Sequence, residues 1–371
     1  MEVLKKIVAV LKKIWEIIKK ILGQLWLIVD SIKGVLIVVG IAFLILILGS
    51  VVTHNFLRSD EISIKYTGEY KKLYDSKDGM MNVYVTGGGS QTILIMSGFA
   101  VSSPVLEYKA LADELGNEYR VVIVEYPGTG FSLSTKDKRT NKNMVEEIRD
   151  ALKSAEITGP FILMPFDISN IYAMYYAENY SDEVLAIVSI DGMYPKAINR
   201  DSFKDEYLPN YISNVNFHSI ISLSGLYRWE TYLYPEKYNI DKLEKNESYE
   251  ETEIKIYRRL LANKYYTKEM RNQIKVLDAN MKEMIDYEYP ENLPVVQLLL
   301  NSTVEEYGDR GENYKKYATD IVTNTKIQKT RVLNEEKEYY LFEDSKIILN
   351  ALRNDLIFDY EEIEEEEIEE E

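Results

Sequence analysis

Hydrophobic positions along this chain fall into three regimes. Over the first thirty residues they recur at spacings of three and four, at Leu4, Ile7, Leu11, Ile14, Ile18, Ile21, Leu25 and Ile28. The same stretch repeats LKKI at 4–7, LKKI at 11–14 and IKKI at 18–21, which predicts a helix with one apolar stripe and paired lysines beside it. Val8, Trp15, Ile17 and Leu22 widen the stripe beyond a two-position seam. That width favours a helix lying on an anionic membrane surface, with Trp15 and Trp26 as interfacial anchors, over a dimerising coiled coil. Next, residues 34–52 (GVLIVVGIAFLILILGSVV) carry no charge and no polar face. At about 1.5 Å per residue they make about 28 Å of helix, the thickness of a bilayer core. A buried core helix is the other reading of such a run, and a cleaved signal peptide is disfavoured because SVVTH at 50–54 makes a poor cleavage site.

The third regime alternates. Short β-rich apolar runs at 93–96, 121–124, 161–164, 185–190 and 295–300 are separated by helical segments at 105–115, 143–155, 168–179 and 345–356. This predicts an α/β fold, a mostly parallel sheet with helices on both faces. Between 191 and 294 the alternation gives way to about a hundred Tyr-rich, charged, helical residues, too many for a loop, so an inserted helical cap is expected at about 195–290. The chain therefore divides into a basic amphipathic helix (1–31), a transmembrane helix (32–53), an α/β domain (54–359) and a tail, 360–371. That tail holds nine glutamates in twelve residues and is expected to be solvated and disordered.

Charge sharpens the picture. The 44 Lys and Arg against 61 Asp and Glu leave −17. Residues 1–33 hold seven Lys against Glu2, Glu16 and Asp30, a balance of +4, so the remainder carries −17 − 4 = −21. Lysines before the apolar segment keep the N-terminus cytoplasmic and put the large domain outside. The acidic balance excludes a nucleic-acid partner. With no cysteine, disulfides and thiolate chemistry are excluded, and only His54 and His218 are available as histidine bases. No cofactor and no metal site are expected; the expected partners are the membrane and a small-molecule or protein ligand.

One stretch anchors the chemistry. Residues 159–180 (GPFILMPFDISNIYAMYYAENY) run from a strand through a tight turn into a helix. With ILIMSGFA at 93–100 before it and EYPGTGFS at 125–132 between, it resembles the nucleophile elbow, oxyanion loop and D-x-P-G-x-G-x-S turn of the α/β-hydrolase fold, in that family's order. The resemblance covers about residues 80–356 and is greatest to a membrane-anchored bacterial branch in which a proline, here Pro165, opens the elbow. It implies a nucleophile at the elbow apex, where this chain has Asp167, with Phe166 before it and Asn170 in place of a small glycine. It implies a histidine in the loop 334–344 after a strand at 327–333, where Tyr339 or Phe342 stands, and an acid after the strand at 295–300, where Asn301 and Ser302 stand. Asp191 is an alternative acid position, more often a structural one. Backbone N–H groups of Phe99 and Ile168 would form the oxyanion hole, with the Asp167 carboxylate beside them bearing the charge the hole was built to hold. Ser169, two residues past the apex, is expected to point away from it.

Three functions fit these residues. The first is a membrane-anchored α/β-hydrolase fold that has lost its triad and binds a ligand or partner. The second is an active esterase, epoxide hydrolase or dehalogenase-like enzyme using Asp167 as nucleophile or base, because related enzymes form an ester on an elbow aspartate. The third is a membrane-associated structural protein acting through its two charged ends.

Overall fold

A computed structural model describes residues 12–13, 15–21, 23–24, 32–62, 70–199, 203–309, 313–334 and 336–358. Most of the repeats in residues 1–30 and the whole acidic tail therefore lie outside the described residues. The chain separates into two compact units, residues 1–56 and 57–371.

In the first unit the described part of residues 12–24 is helical, with Trp15, Ile17 and Ile21 exposed. A continuous helix, Ile32–Ile62, follows. Its stretch Gly34–Arg58 is long and apolar enough to cross a membrane, and side chains such as Phe43, Leu46 and Val52 are largely exposed along it.

The second unit is built on one eight-stranded sheet, in the order β1-β2-β4-β3-β5-β6-β7-β8. The strands are β1 Leu73–Ser76, β2 Gly79–Thr86, β3 Thr92–Met96, β4 Arg120–Glu125, β5 Phe161–Pro165, β6 Val184–Ile190, β7 Val295–Leu300 and β8 Gln328–Leu333. β1, β2 and β4 pair antiparallel and all other neighbours are parallel. The β1–β2 hairpin was not expected from the apolar runs, because its residues GMMNVYVT place polar Asn82 inside the strand. Asn82 is fully buried there, donating to the Glu125 carboxylate at 3.0 Å and to the Tyr70 carbonyl at 2.8 Å.

Alternation along the central strands divides the core into two layers. Leu94, Val122, Leu163 and Ile187 pack on one face, Ile93, Val121, Ile162 and Val188 on the other. Both faces are covered by helices, so these strands read as unbroken apolar runs, each fully buried Leu, Ile or Val contributing about 1.5–3 kcal/mol. The insertion between β6 and β7 is helical, as expected, and includes Leu208–Ser224, Leu226–Leu233, Glu251–Lys264 and Lys268–Lys275. The segment 334–344, expected as a loop, differs: Lys337–Phe342 form a helix, because Tyr340, Leu341 and Phe342 are buried in the core.

Candidate functional site

The elbow is held first by backbone hydrogen bonds. Phe166 N–H donates to Met96 O at 3.0 Å and Asp167 N–H to Ile190 O at 3.2 Å, continuing the β5 pairing past Pro165. The Asp167 carbonyl accepts from Met193 N–H at 2.9 Å and Asn170 N–H at 3.1 Å. Asp167 itself sits at φ +50, the left-handed conformation an elbow apex requires and one that costs a non-glycine residue about 1–3 kcal/mol. The helix Ser169–Asn179 starts directly behind it.

The half-buried Asp167 carboxylate accepts the Phe99 N–H at 3.2 Å. Gly98 allows this approach, since a Cβ there would stand 3.3 Å from the Asp167 Cβ. Its own N–H is turned to the Tyr108 hydroxyl at 3.2 Å. Among the described residues Phe99 is the backbone donor that reaches the carboxylate; Ile168, at φ −54 and ψ −28, caps the helix behind it. Ser169 is fully buried between the Tyr126 hydroxyl at 2.9 Å and the Ser97 carbonyl, facing away from the apex.

Among the described side chains, no expected triad partner hydrogen-bonds to Asp167. Asn301 is the first residue of the helix Asn301–Asp309 and donates to Glu305 at 2.7 Å. Tyr339 lies in Lys337–Phe342, and its side chain is outside the described residues. Among the described residues of 334–344, none hydrogen-bonds to Asp167. Asp191, at φ +48, accepts from Leu300 N–H at 3.2 Å and Thr303 Oγ1 at 2.7 Å, with the Tyr314 hydroxyl 3.1 Å away. It ties the exits of β6 and β7 together. Burial raises its carboxyl above the usual range and the Asp167 charge adds to the rise, against the hydrogen bonds.

His218 lies in the aromatic cluster that packs on Phe99 through Tyr266, at 6.1 Å from it, but has other hydrogen-bond partners than Asp167. Its Nδ1 bonds the Tyr227 hydroxyl and its ring stacks on Tyr266 at 4.8 Å, and burial lowers its pKa. Among the described residues no cluster of three or more ligating side chains is placed to hold a metal.

Tyr211, one of several cap tyrosines that could activate an epoxide, and two residues that the sequence did not single out, Tyr108 and Gly192, shape the site. Tyr211, from the cap helix Leu208–Ser224, packs edge-on to Phe99 at 5.4 Å; burial first, then the Asp167 charge, hold its hydroxyl protonated. Tyr108, fully buried, stacks on Phe166 at 4.6 Å. Gly192 makes room for Asn170 at the position the resemblance gives to a small glycine. A Cβ on Gly192 would come within 2.7 Å of the Asn170 carboxamide, whose Nδ2 donates to Met193 O at 3.2 Å. With thirty tyrosines in the chain, no local signal distinguished these two.

Glu125, opening the turn between the two motifs, is fully buried. It accepts Phe131 N–H at 2.6 Å, Val105 N–H at 3.2 Å and the Asn82 amide. Burial outweighs these bonds and pushes its carboxyl up to about 7. Lys264, from the cap, donates to Ser132 O in the same turn at 2.9 Å, and burial lowers its ammonium to about 8 against the pull of Glu125 and Glu269.

No family model matches the chain. It is 25% identical over 295 residues to the uncharacterized protein YbdG of Bacillus subtilis (strain 168), covering 78% of this chain and 81% of that one. Among solved structures it is similar to an epoxide hydrolase of Bacillus megaterium in complex with an inhibitor, at 15% identity and a TM-score of 0.56, over 76% of this chain and 99% of that one. It is also similar to the epoxide hydrolase CorEH, at 14% identity and a TM-score of 0.53, over 76% of this chain and 96% of that one. The chain has the α/β-hydrolase fold, with a helical cap and an N-terminal helix apolar enough to span a membrane.

Proposed function

We propose that this chain is a membrane-anchored α/β-hydrolase-fold protein that has exchanged triad hydrolysis for the binding of a small-molecule or protein ligand. The observation that carries the reading is the Phe99 N–H bonded to the Asp167 carboxylate at 3.2 Å. The chain supplies its own anion to the donor that would stabilise a tetrahedral intermediate, which removes the differential binding on which acyl transfer depends. The engagement of His218 with Tyr227 and Tyr266 supports the same reading. The N-terminal helix anchors the chain with its lysines on the cytoplasmic side and the large domain outside.

A second reading draws on one specific contact. Tyr211 stands against Phe99 and within the field of Asp167, and solved neighbours are named epoxide hydrolases. In that chemistry an Asp167 oxygen attacks an epoxide carbon, the C–O bond breaks, and the new alkoxide takes its proton from a tyrosine, leaving an ester on Asp167. With His218 hydrogen-bonded to Tyr227 rather than to Asp167, this reading expects the ester to accumulate.

Intact-protein mass spectrometry of the full chain with a panel of epoxides and alkyl halides separates the two. The binding reading expects no adduct and no turnover of p-nitrophenyl esters. It also expects Asp167→Asn to melt at or above the wild type, because a partly desolvated charge is removed while the acceptor for Phe99 N–H stays. An adduct mapped to Asp167 would overturn it.

A further inference from the structure

The cap carries the most apolar surface of the second unit. Nine large apolar side chains are exposed among the described residues from 70 onward, and seven of them lie between Phe217 and Tyr234, at 49–70% exposure. Phe217, Ile220 and Leu223 belong to the helix Leu208–Ser224, and Trp229, Tyr232 and Leu233 to Leu226–Leu233. Gly225, at φ +74, is the single residue between the two helices.

Helical phase gives the patch its direction. At about 100° per residue, Phe217 and Ile220 fall opposite Tyr211, Val215 and His218, which face the domain. On the second helix Trp229 and Leu233 fall opposite buried Tyr227 and Thr231. Each helix is therefore amphipathic towards the core, yet its outward face is apolar where a solvated helix carries charge. The sequence agrees. Residues 208–227 contain no Asp, Glu, Lys or Arg, in a chain that is 28% charged.

We infer that this helical corner docks into the headgroup and upper acyl region of the bilayer in which the chain is anchored. The inference rests on the membrane-anchor reading above. Two observations select lipid over a second copy of the chain. Fourteen residues, the first four of them still helical, separate Arg58, at the end of the membrane-spanning stretch, from Leu73 in β1, a short tether that gives the domain a high effective concentration at the bilayer in which the chain is anchored. The patch also mixes Trp229, Tyr232 and Tyr234 with aliphatic side chains and lacks exposed charge over most of its length, the composition that partitions into the interface.

The chain has no cysteine, so Ile220→Cys in the full chain accepts a single environment-sensitive fluorophore. The labelled protein is reconstituted into phosphatidylcholine vesicles and floated on a density gradient. Docking predicts that the floated protein loses about half its emission when lipids carrying a headgroup-proximal nitroxide are included, and that Trp229→Ser with Leu233→Ser abolishes most of this quenching while flotation persists. Floated but unquenched protein overturns the inference and leaves the anchor standing. Should that protein also be dimeric by cross-linking, a second copy is the occupant. Protein that fails to float overturns the anchor reading and the inference with it.

Discussion

Replacing Glu125 with glutamine tests whether burial or hydrogen bonding controls the turn beneath the oxyanion loop. In the native fold the carboxyl is pushed up to about 7; in the unfolded chain it returns to about 4.3. An acid whose folded pKa is raised stabilises the fold fully below the unfolded pKa and loses that contribution as pH rises through the folded one. Between pH 5 and pH 8 the linkage amounts to about 2–3 kcal/mol, at 1.36 kcal/mol per pKa unit. Lys264 stays protonated over most of that window, its ammonium lowered only to about 8, and contributes little to the slope. Glutamine cannot titrate. Its carbonyl still accepts from Phe131 and Asn82, while its amide faces Val105 N–H and forfeits one bond, worth about 1–2 kcal/mol at every pH. The variant should therefore melt below the wild type at pH 5 and gain on it as pH rises. The melting-temperature difference, variant minus wild type, should climb by about 5 °C between pH 5 and pH 8, at about 2 °C per kcal/mol for a domain of this size. Far-UV circular dichroism of the full chain in detergent micelles reads it directly. A flat difference would show that the three donors hold Glu125 ionised throughout, and the account of the turn would be wrong.

Two further outcomes follow from buried charge and from the anchor. Arg139 and Glu147 form an ion pair with both side chains 2% exposed, and Arg139 Nε and Nη1 have no other partner; Glu147→Ala should lower unfolding free energy by about 3–5 kcal/mol, because it strands a buried guanidinium. Denaturant titration measures this, and a loss under about 1 kcal/mol would mean that water reaches the arginine. If the lysines before Gly34 hold the N-terminus inside as proposed, protease added to intact cells should digest the large domain; a protected domain reverses the proposed orientation.

The sheet was legible because parallel strands buried on both faces must be apolar throughout, and β7, Val295–Leu300, matches its expected bounds residue for residue. The hairpin of β1 and β2 was not, since Asn82 satisfies itself on partners 12 and 43 residues away. The same distinction runs through the site. Asp167 could be placed from the local strand, turn and helix pattern. Tyr108 and Gly192 could not, and Tyr211 could not be told from the other cap tyrosines, because their roles exist only where separate segments meet. This explains why the fold is easier to read here than the function. The elbow is fixed by Phe166 N–H on Met96 O, Asp167 N–H on Ile190 O and Met193 N–H on Asp167 O, bonds that any side chain tolerating φ +50 leaves intact. A scaffold held by main chain places little constraint on its apex, so a nucleophile, a histidine and an acid can all be exchanged while strand order, elbow and cap persist. Under the binding reading proposed above, the carboxylate held on the Phe99 donor occupies an anion site rather than turning one over.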